Sequence, residues 1–147
     1  MKISSGKDLP DMARFLSGKM YGISGRKVSV LMKAGHLDSD ILVDYLYNAE
    51  EDRILELRSP KIESRNTHGT GCTLSSAVAS YLAQGCPLDK AVTLAKEYIT
   101  RAISSGVGYS IGHGHGPVNH FGDNGITSVP NTAEITSRGK SKRSELQ

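Results

Sequence analysis

The sequence predicts an α/β fold, and three observations carry that prediction. Val28 to Met32 is a short, nearly continuous apolar run, as a covered strand requires. Ile41 to Tyr47 and Arg53 to Leu57 are strand-like runs joined by the polar turn Asn48 to Asp52, the pattern of a hairpin. Beyond them lie two amphipathic helical stripes, close enough in sequence to form an antiparallel pair packing on the sheet.

Taken in order, Asp8 to Lys19 reads as a helix, with Asp8 as N-cap and Pro10 in the first turn. Its apolar side is expected to be Met12, Phe15 and Leu16, with Lys19 continuing the spacing. The glycines and basic residues from Tyr21 to Lys27 suggest a loop. After the apolar run, Lys33-Ala34-Gly35-His36 forms a polar loop at the carboxyl end of a strand, the edge where open α/β sheets gather ligands. An extended stretch containing Pro60 follows the hairpin. From Thr73 to Ala83, the residues Leu74, Ala77, Val78, Tyr81 and Leu82 fall on one helical face, stopped by Gly85 and Pro87. The last helix spans Leu88 to Ser104, with the stripe Leu88, Ala91, Val92, Ala95, Tyr98, Ile99, Ala102 and Ile103. Gly106 to Phe121 holds five glycines and three histidines and too little apolar surface for an element of its own. From Gly122 the chain is polar and aperiodic, so 122–147 is expected to be a disordered tail and 1–121 the folded part.

At 147 residues the chain can build one core, although a small one for an enzyme that must enclose two substrates. Hydrophobic residues make up 37% and charged residues 22%, the balance of a globular chain. With no Trp and 5% aromatics, aliphatic side chains must supply most of the burial. No apolar run nears the roughly 20 residues that span a bilayer, and MKISSGKDLP has no apolar stretch like a signal peptide's. A cytoplasmic location and no membrane partner are therefore expected. The net charge of +3 resides largely in the tail, where Arg138, Lys140, Lys142 and Arg143 face only Glu134 and Glu145. The remaining 14 basic and 13 acidic residues give no footprint for nucleic acid. Cys72 and Cys86 are too few for a disulfide framework and are expected as free thiols.

The stretch that carries chemistry is His68-Gly69-Thr70-Gly71-Cys72, opening directly into an amphipathic helix. Glycines at 69 and 71 permit a tight turn and a close approach of ligand to backbone. Consecutive N–H groups can then converge on an anion, helped by the positive end of the helix dipole. Such donors suit the charge on a transferring phosphoryl group. The motif is not a Walker A loop, because no Gly-Lys-Ser/Thr follows. Cys72 falls in the first helical turn, where the dipole favours thiolate over thiol. Two roles stay open on pattern alone: a base for an attacking alcohol, or a small side chain filling the helix–sheet seam.

The run Asn66-Thr-His-Gly-Thr-Gly-Cys-Thr-Leu-Ser-Ser-Ala resembles the signature of hydroxymethylpyrimidine phosphate kinases of thiamine biosynthesis, in the ribokinase-like superfamily. Val30-Leu-Met-Lys-Ala-Gly-His-Leu upstream and Gly112-His-Gly-His-Gly-Pro-Val-Asn-His downstream agree with it in order and spacing, over about residues 8 to 121. The resemblance implies the C-terminal half of a ribokinase-like three-layer α/β sandwich. It implies an anion hole of Gly69, Thr70, Gly71 and Cys72, with Cys72 as catalytic base. It places Lys33, Lys96 and Thr67 at the nucleotide, and His36 and His68 near the phosphates. ATP and Mg²⁺ are the implied cofactors, and hydroxymethylpyrimidine or its phosphate the implied acceptor. One departure is Ala34, where the family usually has glycine; the added methyl is expected to narrow the approach to the phosphates. Gly106 to Phe121 becomes a closing strand and loop. His113, His115 and His120 are expected to serve structure or the substrate edge, with no metal site, since no Cys or acidic residue accompanies them before Asp123. Cys86 is expected as a buried small residue near a helix end.

The family's members are nearly twice as long, so the resemblance further implies that the N-terminal half with most of the acceptor pocket lies outside this chain. The partner expected is that missing half or a second copy. The strand Val28 to Met32 would then lack a neighbour and leave an open sheet edge. Two alternatives remain on sequence alone: a pyridoxal-type kinase portion, and a non-catalytic nucleotide- or phosphate-binding module.

Overall fold

In the computed structural model, which describes residues 6–34 and 40–121, a 3₁₀ turn at Gly6–Asp8 runs into helix α1, Leu9–Ser24. Strands β1 (Val30–Met32), β2 (Ile41–Asn48) and β3 (Arg53–Pro60) follow, then helices α2 (Thr70–Ala83) and α3 (Leu88–Ser105). His36 and the expected tail at 122–147 lie outside the described residues.

The sheet has the order β1-β2-β3 and is antiparallel throughout, with Leu31 opposite Leu46 and Leu46 opposite Leu55. Because neighbours along a strand point to opposite faces, this register sorts the side chains into two sets. Asp44, Leu46 and Asn48 share one face: Leu46 packs with Val92 of α3, and Asn48 Nδ2 donates to Asp89 Oδ1 at 3.1 Å. Tyr47 points the other way, where the Arg14 guanidinium of α1 lies 5.7 Å from its ring centroid. The result is three layers: α1, the sheet, and the α2–α3 pair.

The hairpin turn forms where the sequence places it. Asn48 Oδ1 accepts from the amides of Glu50 (3.1 Å) and Glu51 (3.4 Å), and Asp52 takes a left-handed conformation with φ of 47°, which Asp tolerates better than most residues. Both strands run further than the apolar pattern suggests. Pro60, expected in an extended connector, is the last residue of edge strand β3, where its missing N–H costs no ladder bond. The helix pair forms where it was expected, although on α2 only Leu74 is buried and Leu82, expected on the inner face, is exposed. Ala91, Val92, Ala95, Ile99 and Ala102 of α3 are buried, and α2 ends in a Schellman turn with Gly85 at φ of 83° and Cys86 N donating to Tyr81 O at 3.1 Å. Cys86 itself is half-buried and, like Cys72, a free thiol.

Four expectations need correction. First, α1 continues through the segment read as a loop and stops at Gly25, whose φ of 66° closes it. Asp8 stands at its N-cap but with helical backbone and no side-chain cap bond. Second, the buried side of α1 is Leu9, Ala13 and Ser17, not the bulky stripe; Phe15 and Leu16 are exposed. Small side chains let the helix lie close to the chain entering β1, and Ser17 Oγ donates to Val28 O at 2.7 Å. Third, β1 is half-buried rather than covered, and it has β2 as a neighbour on one side. Fourth, the closing strand is reduced among the described residues to one bridge, His68 with Pro117; Pro117 has no N–H to give to a ladder, and the glycines at 112, 114 and 116 weaken an extended strand.

The main core joins Leu74, Ala95, Ile99, Ala102 and Val118, so the segment after α3 folds back and contributes Val118 to it. Asn119 N donates to Ala102 O at 2.9 Å, which holds that strap against α3.

Candidate functional site

Between the hairpin and the start of α2 lies a cavity of about 660 Å³. The turn before α2 forms one wall, while β2, the end of β1 and α3 form the other.

The turn is built from Asn66 onward. Asn66 is buried, and its Nδ2 donates to Gly106 O (2.6 Å) and Tyr109 O (2.8 Å), tying the turn to the strap. His68 N donates to Gly116 O at 3.0 Å. Gly69 then takes φ of 86°, a conformation that a side chain makes costly, and so turns the chain into α2. Thr73 N reaches Gly69 O at 2.9 Å, which starts the helical ladder. Thr70 turns both its amide (3.3 Å) and its hydroxyl (2.6 Å) onto Thr67 O. The amides of Gly71 and Cys72 have no hydrogen-bond partner among the described residues, and no side chain caps the helix. They are first-turn donors of the kind a helix leaves for an anion. At Gly71 nothing lies within 4 Å of where a Cβ would stand, so the approach is open.

The positions singled out in the sequence converge here. Lys33, Thr67, His68, Gly69, Thr70, Gly71, Cys72 and Lys96 all line this cavity. Cys72 is exposed, not buried in the helix–sheet seam. Ala34 does not narrow the cleft: its side chain is buried away from the lining, and its amide donates to Asp44 Oδ1 at 2.8 Å. His113 and His115 are exposed and are absent from the lining, while His120 lies 3.2 Å from Tyr98 Oη through Nδ1.

Asp44 was missed by reading the sequence. It is buried on the α3 face of β2, and its Oδ2 pairs with Lys96 Nζ at 2.5 Å. The available signal was a carboxylate between Leu42 and Leu46, at an inward position of the strand.

Among the described residues no group of three or more His, Cys, Asp or Glu could hold a metal ion. The one deeply placed carboxylate of the cleft is already engaged by Lys96 and Ala34. The described residues thus do not form a Mg²⁺ site of their own. No described helix is long and apolar enough to cross a membrane.

The architecture is that of solved kinases. It is similar to the pyridoxal kinase from Staphylococcus aureus in complex with ADP, with a TM-score of 0.70, 28% identity, and coverage of 85% of this chain and 43% of that one. The pyridoxal kinase of Bacillus subtilis in an ADP complex gives 0.67 and 30%, over 82% of this chain and 42% of the other. Fold and cleft together place the chain in the ribokinase-like kinase class, of whose solved chains it covers less than half. Within that class the chain belongs to the phosphomethylpyrimidine kinase family, whose profile matches residues 2–119. It is 53% identical over 120 residues to the thiamine biosynthesis bifunctional protein ThiED of Geobacter sulfurreducens, covering 81% of this chain and 22% of that protein. It is 47% identical over 93 residues to the hydroxymethylpyrimidine/phosphomethylpyrimidine kinase of Rhizobium meliloti, covering 63% and 34%. The chain therefore spans about a fifth to a third of the length of these relatives.

Proposed function

We propose that this chain supplies the phosphate-binding half of an ATP-dependent kinase for 4-amino-5-hydroxymethyl-2-methylpyrimidine or its phosphate, the acceptor pocket being completed by another polypeptide portion. The observation that carries the proposal is the pair of unpartnered amides at Gly71 and Cys72, set beside an exposed thiol in a cleft lined by Lys33 and Lys96.

In this reading the terminal phosphate of ATP lies on the Gly71 and Cys72 amides, with Lys33 and Lys96 offsetting its charge. With the free alcohol as acceptor, its hydroxymethyl oxygen attacks the γ-phosphorus and its proton passes to Cys72 Sγ; with the phosphate ester, a non-bridging oxygen of that phosphate attacks instead and the thiol has no proton to take. The bond from the γ-phosphorus to the bridging oxygen breaks, and ADP leaves. Mg²⁺ would enter bound to the nucleotide rather than to side chains of this chain. Thr67, His68 and Thr70 shape the turn, and in this reading His36 lies near the phosphates.

Reconstitution tests the proposal. The chain is mixed with the N-terminal portion of a full-length relative, and ADP release from ATP is followed with and without the pyrimidine. Pyrimidine-dependent ADP release is expected. If reassembly is confirmed by co-elution and no turnover follows, a non-catalytic nucleotide-binding module becomes the better reading. The likeness to pyridoxal kinases favours one further acceptor, so pyridoxal is run beside the pyrimidine.

A further inference from the structure

We infer that Asp44 is a positioning residue of the cleft, a single buried carboxylate that holds the Lys96 ammonium at the phosphate-facing wall and fixes the strand end that carries Lys33. The inference rests on the phosphate-binding reading above and assigns a role to a side chain that reading does not use.

Asp44 is 2% exposed and stands on β2 between Leu42 and Leu46 on the same face. A strand packed against a helix needs no charge at such a position, and a carboxylate there is costly unless each oxygen is satisfied. Both are: Oδ1 accepts the Ala34 amide at 2.8 Å, and Oδ2 takes Lys96 Nζ at 2.5 Å. The pair sits at the border of the cavity rather than inside the Leu46, Leu57 and Val92 cluster. Burying it there aids packing little, but it holds one cation and pins the backbone next to another, Lys33.

Lysine has a long, flexible stem, and an ammonium free to move would lose much rotamer freedom on meeting a phosphate. Asp44 arranges that ordering in advance. An ammonium has three donors, of which this bond uses one, so donors remain for an incoming oxyanion. The other titratable side chains at the cavity are Lys33, Lys61, Glu63, His68 and Cys72. None has a described hydrogen bond or ion pair to Lys96, which leaves Asp44 as the group that orients it.

Asp44→Asn separates the two functions, since the amide oxygen can still accept from Ala34 while the charge facing Lys96 is lost. Two readouts are taken on the 147-residue chain. Lysine acylation by a dilute activated ester, read by mass spectrometry, compares Lys96 with exposed Lys90. Calorimetry with tripolyphosphate compares the unsubstituted chain, Asp44→Asn, Lys96→Met and the double variant, each checked for folding by circular dichroism. We expect slow acylation of Lys96 that Asp44→Asn accelerates. Each single substitution should weaken tripolyphosphate by about tenfold, and the double variant should be no weaker than either.

Acylation of Lys96 as fast as Lys90 in the unsubstituted chain overturns the inference, as does an Asp44→Asn chain of unchanged affinity. Losses that multiply in the double variant also overturn it, because Asp44 would then act through the fold and not through Lys96. Should Asp44→Asn fail to fold, Lys96→Met decides: a folded variant with unchanged affinity overturns the role, and an about tenfold loss with Lys96 protected in the parent supports it. A folded, unsubstituted chain that binds no tripolyphosphate while Lys96 stays protected overturns the functional reading itself, and the positioning role falls with it.

Discussion

The side chain of Asn66 occupies the space next to Gly116: a Cβ on that glycine would overlap Asn66 Oδ1 and stand 2.9 Å from Cγ. Asn66 cannot step aside cheaply, because its Nδ2 is bonded to Gly106 O and Tyr109 O. Gly116→Ala should therefore cost about 1–3 kcal/mol through overpacking, with loss of those bonds as the route of relief. Urea denaturation would measure it. The same variant should weaken nucleotide binding, since His68 N hangs from Gly116 O next to the glycine turn.

Cys72→Ala should leave nucleotide binding close to that of the parent, because the Cys72 amide is unchanged. In the reconstituted enzyme it should reduce turnover by about 10²–10⁴-fold, the range of a lost general base. Single-turnover assays alongside nucleotide titration separate the two effects. A variant that turns over at parental rate would return Cys72 to a packing role.

Exposed apolar side chains of α1 should drive association. Phe15 is 45% exposed, Met20 46%, Tyr21 56% and Ile23 88%, on one helix. Apolar area of that kind suits a partner surface better than solvent. We expect the isolated chain to self-associate as its concentration rises. The double substitution Phe15→Glu and Tyr21→Glu should return it to a monomer in sedimentation velocity without loss of helicity.

Ile99→Ala should cost about 2–5 kcal/mol, since Ile99 is buried among Leu74, Ala95 and Ala102 and the alanines around it cannot expand to fill the void. Ser17→Ala should cost about 1 kcal/mol through the lost bond to Val28 O. Chemical denaturation of both variants against the parent checks the pair.

These cases show where the sequence was legible. The α3 stripe could be read because its burial is one-sided and continuous, so period alone locates it. The glycine turn could be read because glycine, anion-donating amides and a following helix form a pattern with one chemical sense. The inner face of α1 could not, because closeness to the sheet selected Ala13 and Ser17 over larger apolar residues, and small side chains carry almost no periodic signal. Asp44 escaped for a related reason: its meaning depends on Lys96 and Ala34, which lie 52 and 10 positions away. The segment from Gly106 was read from its residues as lacking a regular element, as it does; only the closing strand implied by the resemblance fails, because the stretch is held by Asn66 and one bridge.

Helix α3 is riveted to β2 at two heights, Asp89 to Asn48 and Lys96 to Asp44. Hairpin and helix consequently behave as one stiff jaw. Any widening of the mouth for a nucleotide to enter or leave has to come from the opposite lip, where the glycine turn hangs from the strap. A spin-label pair across that mouth should register movement on the turn's side, with the distance between β2 and α3 constant.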